Sequence, residues 1–292
     1  MRAFAPGIYP RSEALVQATR DLDRGRTSPE AVDEQLVRDR ERLVAAQQAA
    51  GLDLLSDGML AWQDIFRPLI EATAGLEAGA LTRILDTNTF YRAPEASAGA
   101  PRLAAPLDGR HVAPLPAPRL VTLPSPYAFA HGTGLAPRAL AEGVLRPQLD
   151  GLDAELVVLA EPFLAREQSP DLDGLADALE ALAGGPPLAL QLTFGNAGPL
   201  LPRLAELPVE SVGVDFYATS LDDVPEGFPK TVLAGVVDAR SSIVENAEEL
   251  AAFAARLAER IAGEVALVPN GDLQYVAEPL AREKLTRLGE AA

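Results

Sequence analysis

From residue 119 onward the chain repeats one unit: a short apolar run, a polar or glycine-containing stop, then a helix-compatible segment. The runs are 120–123, 154–160, 188–193, 209–215, 231–237 and 265–269, and they stop in Pro-Ser-Pro-Tyr, Glu-Pro, Phe-Gly-Asn, Phe-Tyr, Asp-Ala-Arg and Asn-Gly-Asp. Apolar runs of this length suit strands buried on both faces, and strands separated by helices suit a parallel sheet. Helices are expected over 135–145, 172–182, 200–207, within 242–261, and from there to about 288.

Two earlier pieces extend the pattern. Residues 4–9 form a short extended candidate ending at Pro10, and the stretch 51–66 holds an apolar run from Leu52 that stops in Ser56, Asp57 and Gly58 before a helix expected over 60–74. Between them Ser28, Pro29 and Glu30 read as cap, first position and acidic first turn of a helix to about residue 50, with Val32, Leu36, Leu43 and Val44 near one face. About eight strands alternating with helices predict a (β/α)8 TIM barrel, and 292 residues suit one such domain, of about 250 residues plus insertions, over 1–292. Residues 78–117 break the pattern. Segment 81–91 alternates like a strand or hairpin arm, and 93–117 is crowded with proline, glycine and alanine, so an inserted hairpin and loop excursion over the barrel mouth is expected. A functional lid, disorder and an edge hairpin are the three readings of it, with Tyr91 and Arg92 its most site-like residues.

Composition narrows the chemistry. A formal charge of −17 argues against nucleic acid as a partner, since phosphate binding draws on clustered lysine and arginine. No run approaches the roughly 20 apolar residues of a membrane span, and residues 1–6 lack the apolar core of a signal peptide, so a soluble, cytoplasmic protein is expected. The chain has no cysteine, which removes disulfides, thiolate nucleophiles and sulfur-ligated zinc. Its two histidines, His111 and His131, do not lie in a spaced ligand pattern.

Barrel enzymes keep their chemistry where strands end. By that rule the substrate-binding candidates are Tyr9, Arg11, Asp57, Asp64, Tyr127, Gln191, Thr193, Asn196, Tyr217, Arg240 and Asn270, and the catalytic candidates are Glu161, Asp215 and Asp238. Ser125 and Asp272 belong to the same mouth. Carboxylates that converge there would repel one another, raising at least one pKa and giving a general acid beside a general base. Plainer roles compete: Asp238 and Arg240 can pair with each other, Asp215 can cap a helix or bind a hard cation, and His131 can be merely solvated. Gly132 and Gly134 do not make a dinucleotide fingerprint, and Trp62 and Phe66, one helical turn apart, read as core.

Six pieces in order resemble the catalytic domain of cobalamin-independent methionine synthase, in the barrel superfamily that includes uroporphyrinogen decarboxylase. They are Gly-Ile-Tyr-Pro-Arg at 7–11, the 51–66 stretch, Leu-Pro-Ser-Pro-Tyr at 123–127, Glu-Pro at 161–162, Gly-Val-Val-Asp-Ala-Arg at 235–240 and Val-Pro-Asn-Gly-Asp-Leu at 268–273. The resemblance implies a zinc ion that holds homocysteine as a thiolate for attack on a methylated folate. The positions corresponding to the family's zinc ligands are Gln191, Thr193, Asp215 and Gly271, and those corresponding to its grips on the amino acid substrate are Met59 and Ala160. The expectation is therefore a divergent member with no metal ligands and no certain cofactor, acting on a small polar substrate by group transfer or bond cleavage, with methylated, pterin-like or folate compounds as candidates. A methionine synthase-type methyltransferase with an altered metal site and a non-catalytic small-molecule-binding relative are the alternatives. Oligomeric state is not legible.

Overall fold

The structure, a computed structural model, describes all residues from Met1 to Ala292. Its strands in chain order are β1 (Arg2–Ala3), β2 (Thr73–Ala74), β3 (Leu76–Arg83), β4 (Phe90–Ala96), β5 (Arg102–Leu103), β6 (Leu120–Pro124), β7 (Leu156–Glu161), β8 (Leu188–Leu192), β9 (Ser211–Asp215), β10 (Thr231–Val237) and β11 (Val265–Pro269). Seven of them form one curled parallel sheet in the order β1-β11-β10-β9-β8-β7-β6. All residues of β6 to β9 and β11 are buried, as strands covered on both faces must be. One face carries a small cluster of Phe4, Leu54, Leu120, Leu156, Val158, Ala189, Leu233, Ala266 and Val268. Alternate residues on the other face, such as Val157, Leu159, Leu190 and Leu267, join the large cluster shared with the helices.

The α/β alternation is present, but the sheet has seven strands where the sequence predicts eight. The run from Leu52 does not form a strand. It contributes two single-residue parallel bridges, Phe4 to Leu54 and Leu55 to Arg119, which touch both edges of the sheet. Backbone bonds from Asp53 N to Ala3 O, Leu55 N to Pro118 O and Leu120 N to Leu55 O, all 2.9–3.0 Å, reinforce them. The run stops early because Ser56 takes its partners from a side chain. Gln47, buried on the helix Pro29–Ala49, donates Nε2 to Ser56 O at 2.8 Å and accepts Ser56 N on Oε1 at 2.9 Å.

Other boundaries shift for local reasons. The helix predicted over 60–74 shrinks to Arg67–Glu71, because Asp64 caps it by accepting from Phe66 N and Arg67 N. The segment 81–91 is not a single arm: it straddles the tip of an antiparallel hairpin, with Leu76 opposite Ala96 and Arg83 opposite Phe90. The later helices fall at Pro137–Leu140 continuing to Leu149, Leu172–Glu180, Leu201–Leu204, Ala247–Ala258 and Glu278–Glu290. No helix is long and apolar enough to cross a membrane.

Replacing Gln47 by leucine strands the buried N–H and C=O of Ser56, each of which costs about 1–3 kcal/mol when left unpaired. Urea unfolding of Gln47→Leu should show a loss of about 2–4 kcal/mol; wild-type stability would mean that the 52–56 segment does not depend on this clamp.

Candidate functional site

Side-chain alternation decides which predicted residues share a space. On β8, Gln191 lies on the same face as Ala189 of the interior cluster, and on β9 Gly213 sits beside Gln191, with Asp215 two residues further along that face. Gln191 reaches past β9 and β10 to donate Nε2 to Pro269 O of β11 at 3.0 Å. Gly213 makes this reach possible: a Cβ there would lie 2.7 Å from Gln191 Cγ. Gly235 does the same for Asn270, whose Cβ would stand 3.1 Å from an added Cβ. Asn270 then donates Nδ2 to Asp215 Oδ1 at 3.1 Å and accepts Ala239 N on its own Oδ1 at 2.9 Å.

Asp215 is thus held through one oxygen only. Oδ1 receives Asn270 Nδ2 and, at 2.9 Å, Tyr217 N, whereas Oδ2 receives no protein donor and is not sealed from solvent. Burial pushes its carboxyl up from the ordinary aspartate range; Asn270, Tyr217 N and the Arg240 guanidinium oppose the shift and Asp238 adds to it. Thr193, just past the end of β8, is buried, with no bond from its hydroxyl.

Glu161 faces the other way. It falls on the face of β7 that carries Val157 and Leu159, opposite Leu156 and Val158, and is sealed from solvent. Its Oε1 accepts Phe163 N at 2.9 Å and Leu164 N at 3.0 Å, and its Oε2 accepts a short bond from Ser125 Oγ. The convergence of Glu161 with Asp215 that the strand-end rule suggests is therefore not formed: the two lie on opposite faces of the sheet. Burial nevertheless pushes Glu161 up to about 6, against the pull of Ser125 and the backbone donors.

The remaining predicted residues divide by surroundings. Tyr9 and Arg11 line a separate cleft of about 340 Å³ with Trp62, Gln63, Gln274 and Glu278, where Arg11 donates to Leu60 O at 2.8 Å and Trp62 O at 2.5 Å. Asp57 accepts Met59 N and Ala113 N, and Asp64 ties its capped helix to the hairpin by accepting Arg92 N at 3.1 Å, so both carboxylates are spent on backbone. Tyr127 donates to Glu167 at 2.6 Å, away from Asp215. Asn196 is exposed and accepts Gly198 N in a turn, and Tyr217 is exposed and donates to Val236 O and Glu245. Asp238 accepts Arg240 N at 3.0 Å, while its own N–H donates to Glu245, which forms a buried ion pair with Lys284.

Four neighbours, Phe194, Tyr275, Asp86 and Arg166, escaped sequence reasoning. Phe194, at a left-handed φ of 52°, lays its ring over Gly271 and under the Arg240 guanidinium, 4.4 Å from ring centre, with Tyr275 edge-on at 5.5 Å. Arg240 extends from there to Asp86 at 2.9 Å, and Arg166 approaches the same Asp86 oxygen at 3.4 Å. Asp86 belongs to the hairpin tip, so the excursion does reach the mouth. No periodic signal marks a residue in such a turn.

The donors at the zinc-ligand positions named from the sequence are an amide, a hydroxyl, one carboxylate and a glycine. A side chain at 271 would collide with the Phe194 ring, 2.2 Å from its Cζ, and no group of three or more His, Asp or Glu is arranged to hold a metal ion. These residues do not fit a thiolate-bound zinc.

A family model described as the N-terminal domain of the cobalamin-independent synthase matches residues 142–262. The chain is related to the cobalamin-independent methionine synthases. The matching model is that of the N-terminal domain, where the motifs resemble the catalytic one. The 5-methyltetrahydropteroyltriglutamate–homocysteine methyltransferases of Mycobacterium tuberculosis and Mycobacterium leprae are 42% and 40% identical to it over 95 residues, 30% of this chain and 12% of theirs. The Rhodococcus jostii methyltransferase of the same name is 28% identical over 286 residues, 81% of this chain and 37% of that protein. The chain thus spans well under half the length of these methionine synthase relatives. Its fold is similar to that of a B12-independent methionine synthase from Shewanella solved with selenomethionine, at TM-score 0.73 and 14% identity over 99% of this chain and 96% of that one. A second such structure, from Listeria monocytogenes and described as a probable synthase of that kind, gives TM-score 0.66 at 14% identity over 99% and 95%.

A carboxyl whose pKa rises on folding from 4.5 to about 6 favours the protonated native state. The contribution of Glu161 is complete below pH 4.5 and fades as pH climbs through about 6, an effect of about 2 kcal/mol. In Glu161→Gln the pH-dependent loss read from denaturant midpoints between pH 4 and 7 should shrink by that amount, leaving the share of Asp272, whose buried carboxyl is also raised to about 6; an unchanged profile would show that Glu161 does not titrate in this range.

Proposed function

We propose that this methionine synthase relative is a methyltransferase-type enzyme that works without a thiolate-bound zinc and transfers a group to or from a small polar substrate, with methylated and pterin-like compounds as the first candidates. The proposal takes 1–292 as one domain, in which the bridges at Leu54 and Leu55 close the sheet into a (β/α)8 barrel, and it takes the acidic protein to act in the cytoplasm, away from nucleic acid. The observation that carries it is the open Oδ2 of Asp215 at the carboxyl end of a strand, where family resemblance and barrel logic both direct substrate.

Asp215 is the general base in this reading. A nucleophilic substrate atom bound against Oδ2 gives up its proton there as it takes the transferred group, and burial supports the role because it raises the basicity of the carboxylate. Asn270 fixes the carboxyl through Oδ1 and so aims Oδ2 at the interior, while the unbonded Thr193 hydroxyl and Gln191 Oε1 supply polar contacts for substrate. Asp238 and Arg240 shape the field above. Glu161 serves the scaffold by holding the turn after β7 and the cap at Ser125. A non-catalytic binding protein is the second reading, favoured by the way Phe194 and Arg240 stack over the mouth.

Purified protein supplied with a methylated pteridine donor and a thiol acceptor, with either zinc or a chelator present, tests the reading. Turnover should persist in chelator and fall about 10²- to 10⁴-fold in Asp215→Asn, the range for loss of a general base. Turnover abolished by chelator and restored by zinc would overturn zinc independence, and full activity in Asp215→Asn would remove the base.

A further inference from the structure

Arg166 follows β7 and Arg240 follows β10, yet both guanidinium groups meet one oxygen of Asp86, which the hairpin brings in from outside the sheet. Neither arginine has another carboxylate within 4.0 Å, although acidic side chains outnumber basic ones by 42 to 25 in the chain. Two cations sharing one anion leave one positive charge of this cluster without an ion-pair partner. Arg240 is also preorganised, because its guanidinium lies 4.4 Å over the Phe194 ring with its outer edge free to bond. Phe194 holds a backbone conformation that L-residues seldom adopt, with Tyr275 against its edge and Gly271 beneath it.

The anion now in place is bound from the surface side. Asp86 is about two-thirds exposed and sits in a tight tip in which Ile84 N bonds Thr89 O, Thr87 Oγ1 bonds Ile84 O, and Leu85 takes a left-handed φ of 50°. Further down, β4 is fastened to the body by the Asp64 bond to Arg92 N and by Tyr91 packed edge-on to Phe66 at 5.3 Å. The hairpin is therefore anchored at its base, its tip packs through the buried Ile84 and Thr87, and the ion pairs of Asp86 add a polar tie from the tip across the mouth.

We infer that Arg166 and Arg240 are a recognition site for a carboxylate group of the substrate, and that Asp86 fills it as an internal surrogate that an incoming carboxylate displaces. The inference deepens the proposed function and rests on its placing of the substrate at this mouth. A carboxylate is the class favoured because one carboxylate oxygen already bridges both guanidinium groups. Displacement frees the hairpin tip, so binding and opening of the mouth are one event.

Calorimetric titration with glutarate, its neutral analogue glutaramide and inorganic phosphate tests this on the whole chain, together with hydrogen exchange at residues 84–89. Glutarate should bind, glutaramide should not, and exchange at the tip should rise on binding. Asp86→Ala removes the internal competitor and should tighten glutarate about fivefold, the factor carried by an exposed ion pair of ordinary strength. Arg166→Ala and Arg240→Ala should each weaken it about tenfold or more, as loss of a charge-assisted bond does. Equal affinity for glutaramide, preference for phosphate, or unchanged glutarate affinity in Asp86→Ala would overturn the assignment. Intact, Asp86-dependent glutarate binding in a protein that shows no turnover would defeat only the proposed function.

Discussion

The interior end of the sheet depends on places where no side chain is present. Gly213, Gly235 and Gly271 each leave a gap that a neighbour fills: the Gln191 stem, the Asn270 stem and the Phe194 ring, all within 3.1 Å of where a Cβ would be. Close packing allows this only when the backbone itself is the floor of the cavity. From those three gaps follow the cross-sheet bond from Gln191 to Pro269 O, the one-oxygen hold on Asp215, and the platform on which Arg240 lies. A larger residue at Gly213 or Gly235 would displace Gln191 or Asn270 from a buried partner, and one at Gly271 would displace the Phe194 ring under Arg240.

The buried carboxylates are sorted by what already occupies their oxygens. Asp57, Asp64 and Glu161 bond backbone N–H groups through both oxygens or through one oxygen and a hydroxyl, and they stabilise turns where the strands end. Asp272 belongs with them: it accepts Ile8 N and Gln274 Nε2, and burial raises its carboxyl to about 6. Asp215 differs in keeping an open oxygen. The state of the second oxygen therefore separates a carboxylate with both oxygens bonded from one that keeps an oxygen for a ligand. A shifted pKa does not make the distinction, since Glu161 and Asp215 are both raised by burial.

The relatives give the same contrast on a larger scale. Similarity to synthase structures extends along 99% of the chain at 14% identity, so the fold is shared where most side chains differ. Positions aligned by resemblance with soft ligands carry amide, hydroxyl or hydrogen, and an aromatic ring stands over the last of them. A closed-over floor of this kind suits recognition of an oxyanion or a proton transfer better than the holding of a thiol.

The sequence by itself determined the alternation of buried strands and helices, the strand ends as the place of interest, the hairpin excursion and the kinship, because apolar periodicity and turn chemistry are local properties. It named Asp215, Asn270, Gln191 and Arg240 as residues at strand ends, since strand-end position requires no knowledge of neighbours. Tertiary structure decided which face each of them took and what met it there. A one-residue difference along a strand sends Glu161 to the face of Val157 and Leu159 rather than that of Leu156 and Val158. The second predicted strand became two bridges because a glutamine nine residues upstream took the partners of Ser56, and Asp86 found Arg240 at a separation of 154 residues. Contacts of that kind depend on how the sheet curls, and no window of the chain contains that information.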